Sequence, residues 1–285
     1  MNIRWNHIAI LTSILLAIGA CVEPIDLDLP AQEERIVVYG WVTSENKPHE
    51  ITVTRTLDFN NNSPYPPVSG AQVYVLDRLD QRYDFLERGN TGVYVSDSTD
   101  LVTRVGDAFT LYIITLDGMQ IISSEEEIKN LPPLSSTIVE FVSDPQEVNL
   151  EPDDPNYFVT GFVEDEINIR NYYRWQVLVN DSIRNSPEEL VLFDDQFTDG
   201  NLFRFDASNV LFTENDRVSI LHMSMNQEAY NYYVQLKDLT GNDLVGPVVQ
   251  SFPLIGNLRE VDTGRDVLGY FGASDVHLVE VQWPL

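Results

Sequence analysis

Ile51-Thr52-Val53-Thr54-Arg55-Thr56 alternates, with Ile51 and Val53 on one face and three threonines on the other. Successive side chains of an extended chain point to opposite faces, so this pattern predicts a half-buried β-strand. The same reading extends outward in both directions. Ile36-Val37-Val38-Tyr39-Gly40-Trp41-Val42 is rich in β-branched and aromatic residues. After a Pro- and Asn-rich loop over Asn60–Pro67, strands are expected at Val68–Val75, Tyr83–Leu86, Val93–Ser96, Phe109–Thr115 and Gln120–Ser123. Asp117-Gly118 between the last two predicts a hairpin, because glycine accepts the positive φ such a turn needs. Short strands recurring about every 8–12 residues with turn residues between them predict a β-sandwich, immunoglobulin-like in kind. It is expected over residues 35–131 and closes at Pro132-Pro133.

Residues 132–285 predict a second β-rich domain with one amphipathic helix. Asp144–Pro155 is a loop, and strands are expected at Asn156–Val163, Tyr172–Asn180, Leu202–Ala207, Val218–Met223 and Val276–Trp283. In Tyr172–Val179 the core face carries Tyr173, Trp175, Val177 and Val179, and the wetter face carries Tyr172, Arg174 and Gln176. A helix at about 225–240 is predicted from a capping box at Ser224 and Gln227, with Gly241 ending it. Its apolar face is Ala229, Tyr232, Tyr233, Leu236 and Leu239.

The amino-terminal segment has a different logic. Arg4, the apolar run Ile8–Ile18 and the small pair Gly19-Ala20 read as a secretory signal over residues 1–20. The run is too short for a membrane span, which takes ~20 residues. Cys21, the only cysteine, follows at once. Small-small-Cys resembles a bacterial lipobox, so Cys21 is expected to carry acyl chains such as palmitate and to become the first residue of a lipoprotein. Residues 21–34 then form an acidic, proline-containing tether.

The charge narrows the classes of partner. Lys and Arg total 17 against 45 Asp and Glu, for a net charge of −28. Nucleic acid is excluded as a partner, since phosphate binding needs clustered cations. With Cys21 acylated, no thiol is left for a disulfide, a metal or a nucleophile.

Ordered through the chain are Asp26-Leu27-Asp28, Val38-Tyr39-Gly40, Val68-Ser69-Gly70-Ala71-Gln72-Val73, Gly92-Val93-Tyr94, and Val105-Gly106 before Leu111-Tyr112-Ile113. They continue as Asn171-Tyr172-Tyr173-Arg174-Trp175, Asp194-Asp195 through Asp199-Gly200-Asn201-Leu202-Phe203, Ala229-Tyr230-Asn231-Tyr232-Tyr233 and Gly269-Tyr270-Phe271-Gly272-Ala273-Ser274. The ordered set resembles domain-of-unknown-function family 4249, a group of Bacteroidota outer-membrane lipoproteins. The first unit also resembles carboxypeptidase-regulatory-like sandwich domains. The resemblance implies an accessory protein of a TonB-dependent nutrient transporter, and it transfers no catalytic residue. Glu23, Asp26 and Asp28 resemble a surface-export signal in that setting, interrupted by Pro24, Ile25 and Leu27; a plain solvated linker is the alternative.

Motifs for chemistry are sparse. His49, His222 and His277 lack metal-type spacing and are expected to be surface or hydrogen-bonded strand residues. No nucleophile elbow, phosphate loop, zincin motif or dinucleotide fingerprint is present. Asp194, Asp195, Asp199 and Asn201 offer hard oxygens of the kind calcium takes, though an Asp-Gly hairpin turn explains them as well. Tyr172, Arg174 and Gln176 form a candidate platform for a saccharide or peptide, with a cross-strand ladder as the competing reading. Asp97-Ser98-Thr99 and Asp181-Ser182-Ile183 resemble O-glycosylation sites. No cofactor or metal is expected, apart from the lipid on Cys21 and calcium as the one candidate cation. The expected function is non-enzymatic: a lipid-anchored outer-membrane protein facing the cell surface, capturing ligand for a TonB-dependent transporter or helping it assemble. The alternatives are a surface hydrolase of glycans or peptides, and a structural or adhesive domain.

Overall fold

A computed structural model describes residues 33–57, 61, 63–97, 101–142, 155–198, 200–240 and 254–283. The signal and lipid-site residue Cys21, nearly all of the tether, Ser98, Thr99, Asp199 and Gly241 lie outside the described residues. The chain from Glu34 onward is one compact unit. It is mainly β, as expected, with one α-helix among the described residues.

The first eight strands are β1 (Ile36–Thr43), β2 (Glu50–Arg55), β3 (Gln72–Asp77), β4 (Arg82–Glu87), β5 (Val93–Ser96), β6 (Ala108–Ile114), β7 (Gln120–Ser123) and β8 (Glu126–Glu127). Next come β9 (Leu134–Phe141), β10 (Tyr157–Glu164), β11 (Tyr172–Val179), β12 (Ser182–Arg184), β13 (Val191–Asp194), β14 (Leu202–Asp206) and β15 (Val218–Met225). Helix α1 (Gln227–Thr240) and strands β16 (Leu258–Glu260), β17 (Asp266–Ser274) and β18 (Val276–Glu280) complete the chain.

The first sheet runs β3-β4-β5-β2-β1-β17-β16-β7-β6, and a β3–β6 pairing closes it into a ring, with β8 added to β6. Closure removes the free edges a sheet of this size would otherwise present. Its interior holds Val38, Ile51, Val53, Val75, Leu111, Ile113, Ile121 and Phe271. The alternation of β2 therefore points inward as read, and the Asp117-Gly118 turn joins β6 to β7 with Gly118 at φ +90°.

Two members of the ring come from the far end of the sequence. β17 runs parallel to β1, from Val37 opposite Leu268 to Thr43 opposite Ser274. Nothing in the alternation predicts it, because both its faces are covered. Val267, Phe271 and Ala273 enter the ring interior, whereas Tyr270 belongs to a second apolar cluster with Trp41 and the helix. Gly272 is needed there, since a Cβ would lie 2.5 Å from the Trp41 ring. The sheet changes between β8 and β9, where the sequence suggests a boundary, yet the ring is not continuous in sequence.

β14-β10-β9 form one small sheet, and β12-β11-β15-β18 with β13 form another. They share a core of Val159, Val163, Tyr173, Trp175, Val177, Phe203, Phe205 and Ile220. Gly161 leaves the space that Trp175 fills. Trp175 Nε1 donates to His222 Nδ1 at 3.0 Å. His222 Nε2 therefore carries the proton and donates to Pro132 O at 3.1 Å. The opposite face of this second sheet is covered by α1, through Ala229, Tyr232 and Tyr233. The helix starts later than the predicted capping box. Ser224 belongs to β15, where its hydroxyl donates to Lys129 O at 2.8 Å and accepts from Asp275 N at 2.9 Å.

His49 and His222 are buried, and burial lowers them to about 4 and about 3. An unfolded histidine titrates near ~6.5. Below that pH the unfolded chain takes up protons that the folded one refuses. Stability therefore falls on acidification, by up to about 1.4 kcal/mol per histidine per pH unit. We expect the imidazole proton resonances of both residues to keep their neutral positions down to pH 5. A midpoint near 6.5 for either would contradict its burial as neutral imidazole.

Candidate functional site

A groove of about 660 Å³ opens where the ring meets the second pair of sheets. Its walls come from the β3–β4 turn, the β7–β8 segment, the β10–β11 loop and the β15–α1 junction. One wall is a charge network. Arg78 donates to Glu125 Oε1 at 3.0–3.1 Å, to Glu127 Oε2 at 2.8 Å and to Gly106 O at 3.2 Å. Lys129 also pairs with Glu127 at 3.0 Å. The facing wall carries Ile169, Arg170, Asn171 and Tyr172. Arg170 donates to Asp194 at 2.7 Å, lies 3.4 Å from Asp195 and sits over the Tyr172 ring.

At the groove floor is Glu126, 2% exposed. Its Oε1 accepts from Asn257 Nδ2 at 2.8 Å, from the Tyr270 hydroxyl at 2.9 Å and from Ser124 Oγ at 3.3 Å. Its Oε2 accepts from Asn226 Nδ2 at 2.5 Å. Burial pushes the Glu126 carboxyl up, and these four donors pull it back. Asn257 extends the link, donating to Phe271 O at 2.7 Å and accepting from Phe271 N at 3.0 Å. One carboxylate thus ties β8, the start of α1, the lead-in to β16 and the middle of β17. Glu125-Glu126-Glu127 reads as a solvated acidic run, so sequence reasoning missed it. The available signal was Ile128 two residues on, which shares the inward face with Glu126.

The predicted platform is corrected by burial. Tyr172, Arg174 and Gln176 do share a face, but α1 covers it rather than solvent. Arg174 is 1% exposed, with its guanidinium 4.3 Å from the Tyr233 ring centroid and one hydrogen bond to Asn185 at 2.6 Å. Gln176 is buried beside it, and of the three only Tyr172 lines the groove. The predicted cation site is only partly described, because Asp199 lies outside the described residues. Asp194 accepts from Arg170 and from Tyr230 OH at 3.1 Å, and Asp195 accepts from Asn171 N at 2.7 Å. Arg170 supplies the positive charge that these carboxylates face. Among the described residues no group of three or more His, Cys, Asp or Glu is placed to hold a metal ion. Of the glycosylation-like residues, Ser182 is exposed, just after the left-handed pair Asn180 and Asp181 that turns β11 into β12.

Beside the groove, two neighbouring loops present exposed apolar side chains. Phe197 is 91% and Ile167 70% exposed; Ile169 lies on the same loop as Ile167, and exposed Leu202 opens β14 just after the loop of Phe197. The loops are held by hydrogen bonds. Gln196 N donates to Asp194 Oδ1, Thr198 N to Asp195 O, Gly200 N to Asp165 Oδ2 and Asp165 N to Asn201 O.

A family model described as a domain of unknown function (DUF4249) matches residues 22–278. No curated protein matches the chain. Among solved structures, one described as a Ca²⁺-stabilised adhesin that helps an Antarctic bacterium reach out and bind ice is 10% identical, with a TM-score of 0.21 over 68% of this chain. A second, described in connection with host-cell-surface retention of a 1.5-MDa bacterial ice-binding adhesin, is also 10% identical, with a TM-score of 0.21 over 88% of this chain. The chain spans 45% and 64% of those two chains.

Removing Glu126 strands the buried Tyr270 hydroxyl and the half-buried amides of Asn226 and Asn257, at about 1–3 kcal/mol for each donor left unpaired away from water. We expect Glu126→Ala to lower the free energy of urea unfolding by about 3 kcal/mol or more. Glu125→Ala, which loses an exposed ion pair with Arg78, should lower it by less than about 1 kcal/mol. Equal losses would remove Glu126 from its structural role.

Proposed function

The chain belongs to the DUF4249 family, and from that membership we propose a non-catalytic protein that captures ligand or supports assembly beside a TonB-dependent transporter, held to the outer membrane by lipid on Cys21. The observation that carries the partner-binding reading is the exposed apolar pair Phe197 and Ile167 on hydrogen-bonded loops. Exposed apolar patches on soluble bodies mark interaction surfaces, and rigid aromatic anchors dominate their energetics. The lipid supplies the membrane attachment in this reading, at about 0.8 kcal/mol per buried methylene. No helix among the described residues is long and apolar enough to cross a membrane.

A surface hydrolase is the second reading, and Glu126 favours it, being a buried carboxyl raised by desolvation in a groove. Against it, both oxygens of Glu126 are occupied by donors, and among the described residues the groove lining holds no histidine. The lining serines are also committed, Ser124 to Glu126 and Ser224 to Lys129 O.

Mild-detergent purification of the lipidated protein tests the proposal. A transmembrane β-barrel should co-purify with the wild type. Phe197→Asp combined with Ile167→Asp should reduce recovery by about tenfold, the effect of losing about 1.4 kcal/mol. Cys21→Ser should move the protein out of the membrane fraction. Recovery of free monomer alone would overturn the partnership. Peptide or glycan hydrolysis abolished by Glu126→Gln would favour the second reading instead.

A further inference from the structure

We propose that β9 pairs edge to edge with β9 of a second copy of this chain, antiparallel about Ile138. The inference is independent of the transporter reading. Among the described residues β9 has a partner strand on one side only, β10. The hydrogen bonds tell which of its backbone groups face the other side. Val142 N donates to Asn156 O at 2.9 Å. The β10 residues Tyr157 and Val159 bond away from β9, to Phe212 and Ala207. In an antiparallel ladder the direction alternates with each residue. Ser136, Ile138 and Glu140 therefore bond β10, opposite Phe162, Thr160 and Phe158. The N–H and C=O groups of Thr137, Val139 and Phe141 point to the open side.

Open edges are ordinarily blunted by shortness, by charge or by a bulge. The other described edges of the two small sheets follow that rule. β12 has three residues and β13 four, β18 has five with His277 and Glu280 among them, and β14 carries Arg204 at its centre. β9 departs from it, with eight residues and a bulge confined to its first turnings near Ser135. Its one charge, Glu140, is taken up by Arg204 at 2.7 Å and by the Thr160 hydroxyl. Ile138 is 43% and Phe141 49% exposed. On a chain of net charge −28, this is a long neutral edge.

The strand is also complementary to itself, which selects a second copy as the occupant. Outward groups can bond only outward groups, so the registers are few. Centred on Ile138, Thr137 exchanges hydrogen bonds with the partner's Val139, and Val139 with the partner's Thr137. Ile138 meets its own counterpart in the close, non-hydrogen-bonded position, with Cα atoms ~4.5 Å apart. Glu140 falls opposite the partner's Ser136, so no carboxylate faces another. Paired β-branched side chains stabilise such a ladder. The contact is a two-fold, closed one, and it joins both copies of β14-β10-β9 into one continuous sheet.

The test is sedimentation of the full chain carrying Cys21→Ser. We expect a concentration-dependent dimer that tightens as salt screens the repulsion between two acidic copies. This variant has no thiol left, so an added cysteine reports on one position alone. Ile138→Cys should form a disulfide dimer under mild oxidation much faster than Leu278→Cys, which is exposed on β18. Ile138→Lys sets two ammonium groups face to face at an exposed position. It should weaken dimerisation about tenfold or more while its melting transition stays in place. Thr137→Pro deletes an N–H that β10 does not use, a substitution an edge strand tolerates, and should have the same effect. Monomer at every concentration, equal cross-linking of the two cysteine variants, or a dimer unmoved by Ile138→Lys would each overturn the proposal. So would amides of Thr137 and Val139 that gain protection from exchange only when a different protein is bound, which would give the edge to another chain.

Discussion

The parallel pairing of β1 with β17 is the constraint on which the rest of this molecule depends. Seven residue pairs join the first described strand to one near the carboxyl end. Without them the ring of the first half has a gap between β1 and β7. The pairing is reinforced from the second half, where Trp41 Nε1 donates to Tyr233 OH at 3.3 Å and the Trp41 and Tyr270 rings stack at 6.3 Å. One strand thus serves two cores, with Phe271 facing the ring and Tyr270 facing the helix. The groove lies at the seam this creates, so its shape depends on both halves being locked together.

Glu126 locks the seam electrostatically. A buried carboxylate is ordinarily matched by a cation, because desolvating an unpaired charge is costly. Here no ion pair involving Glu126 occurs among the described residues. Two asparagines, a tyrosine and a serine supply neutral donors in its place. The carboxylate also lies at the amino-terminal end of α1, where the helix dipole favours negative charge. Neutral partners leave the groove's acidic excess uncancelled.

Some of this was legible in the sequence for a physical reason. β2, the β6–β7 hairpin and the core face of β11 each follow from one rule about side-chain alternation or turn chemistry, and each involves residues close in sequence. The helix was legible through its apolar spacing, although its start was misread because Ser224 is held by β15 and Asp275 rather than by a helical turn. β17 was not legible as a strand, because burial on both faces erases alternation and its partner lies at the other end of the chain. The wet face assigned to Arg174 failed for the same reason: alternation says which residues share a face, not what covers it. Glu126 was hidden because an acidic tripeptide looks solvated until its neighbours in space are known.

If the ring truly needs β16 and β17, residues 34–131 alone cannot fold, whatever their local strand propensity. Urea unfolding of that fragment, followed by tryptophan and tyrosine fluorescence beside residues 34–283, measures this directly. The parallel pairing predicts a cooperative transition for 34–283 and none for 34–131. A cooperative transition in the short fragment would contradict it, and would make the first half a domain in its own right.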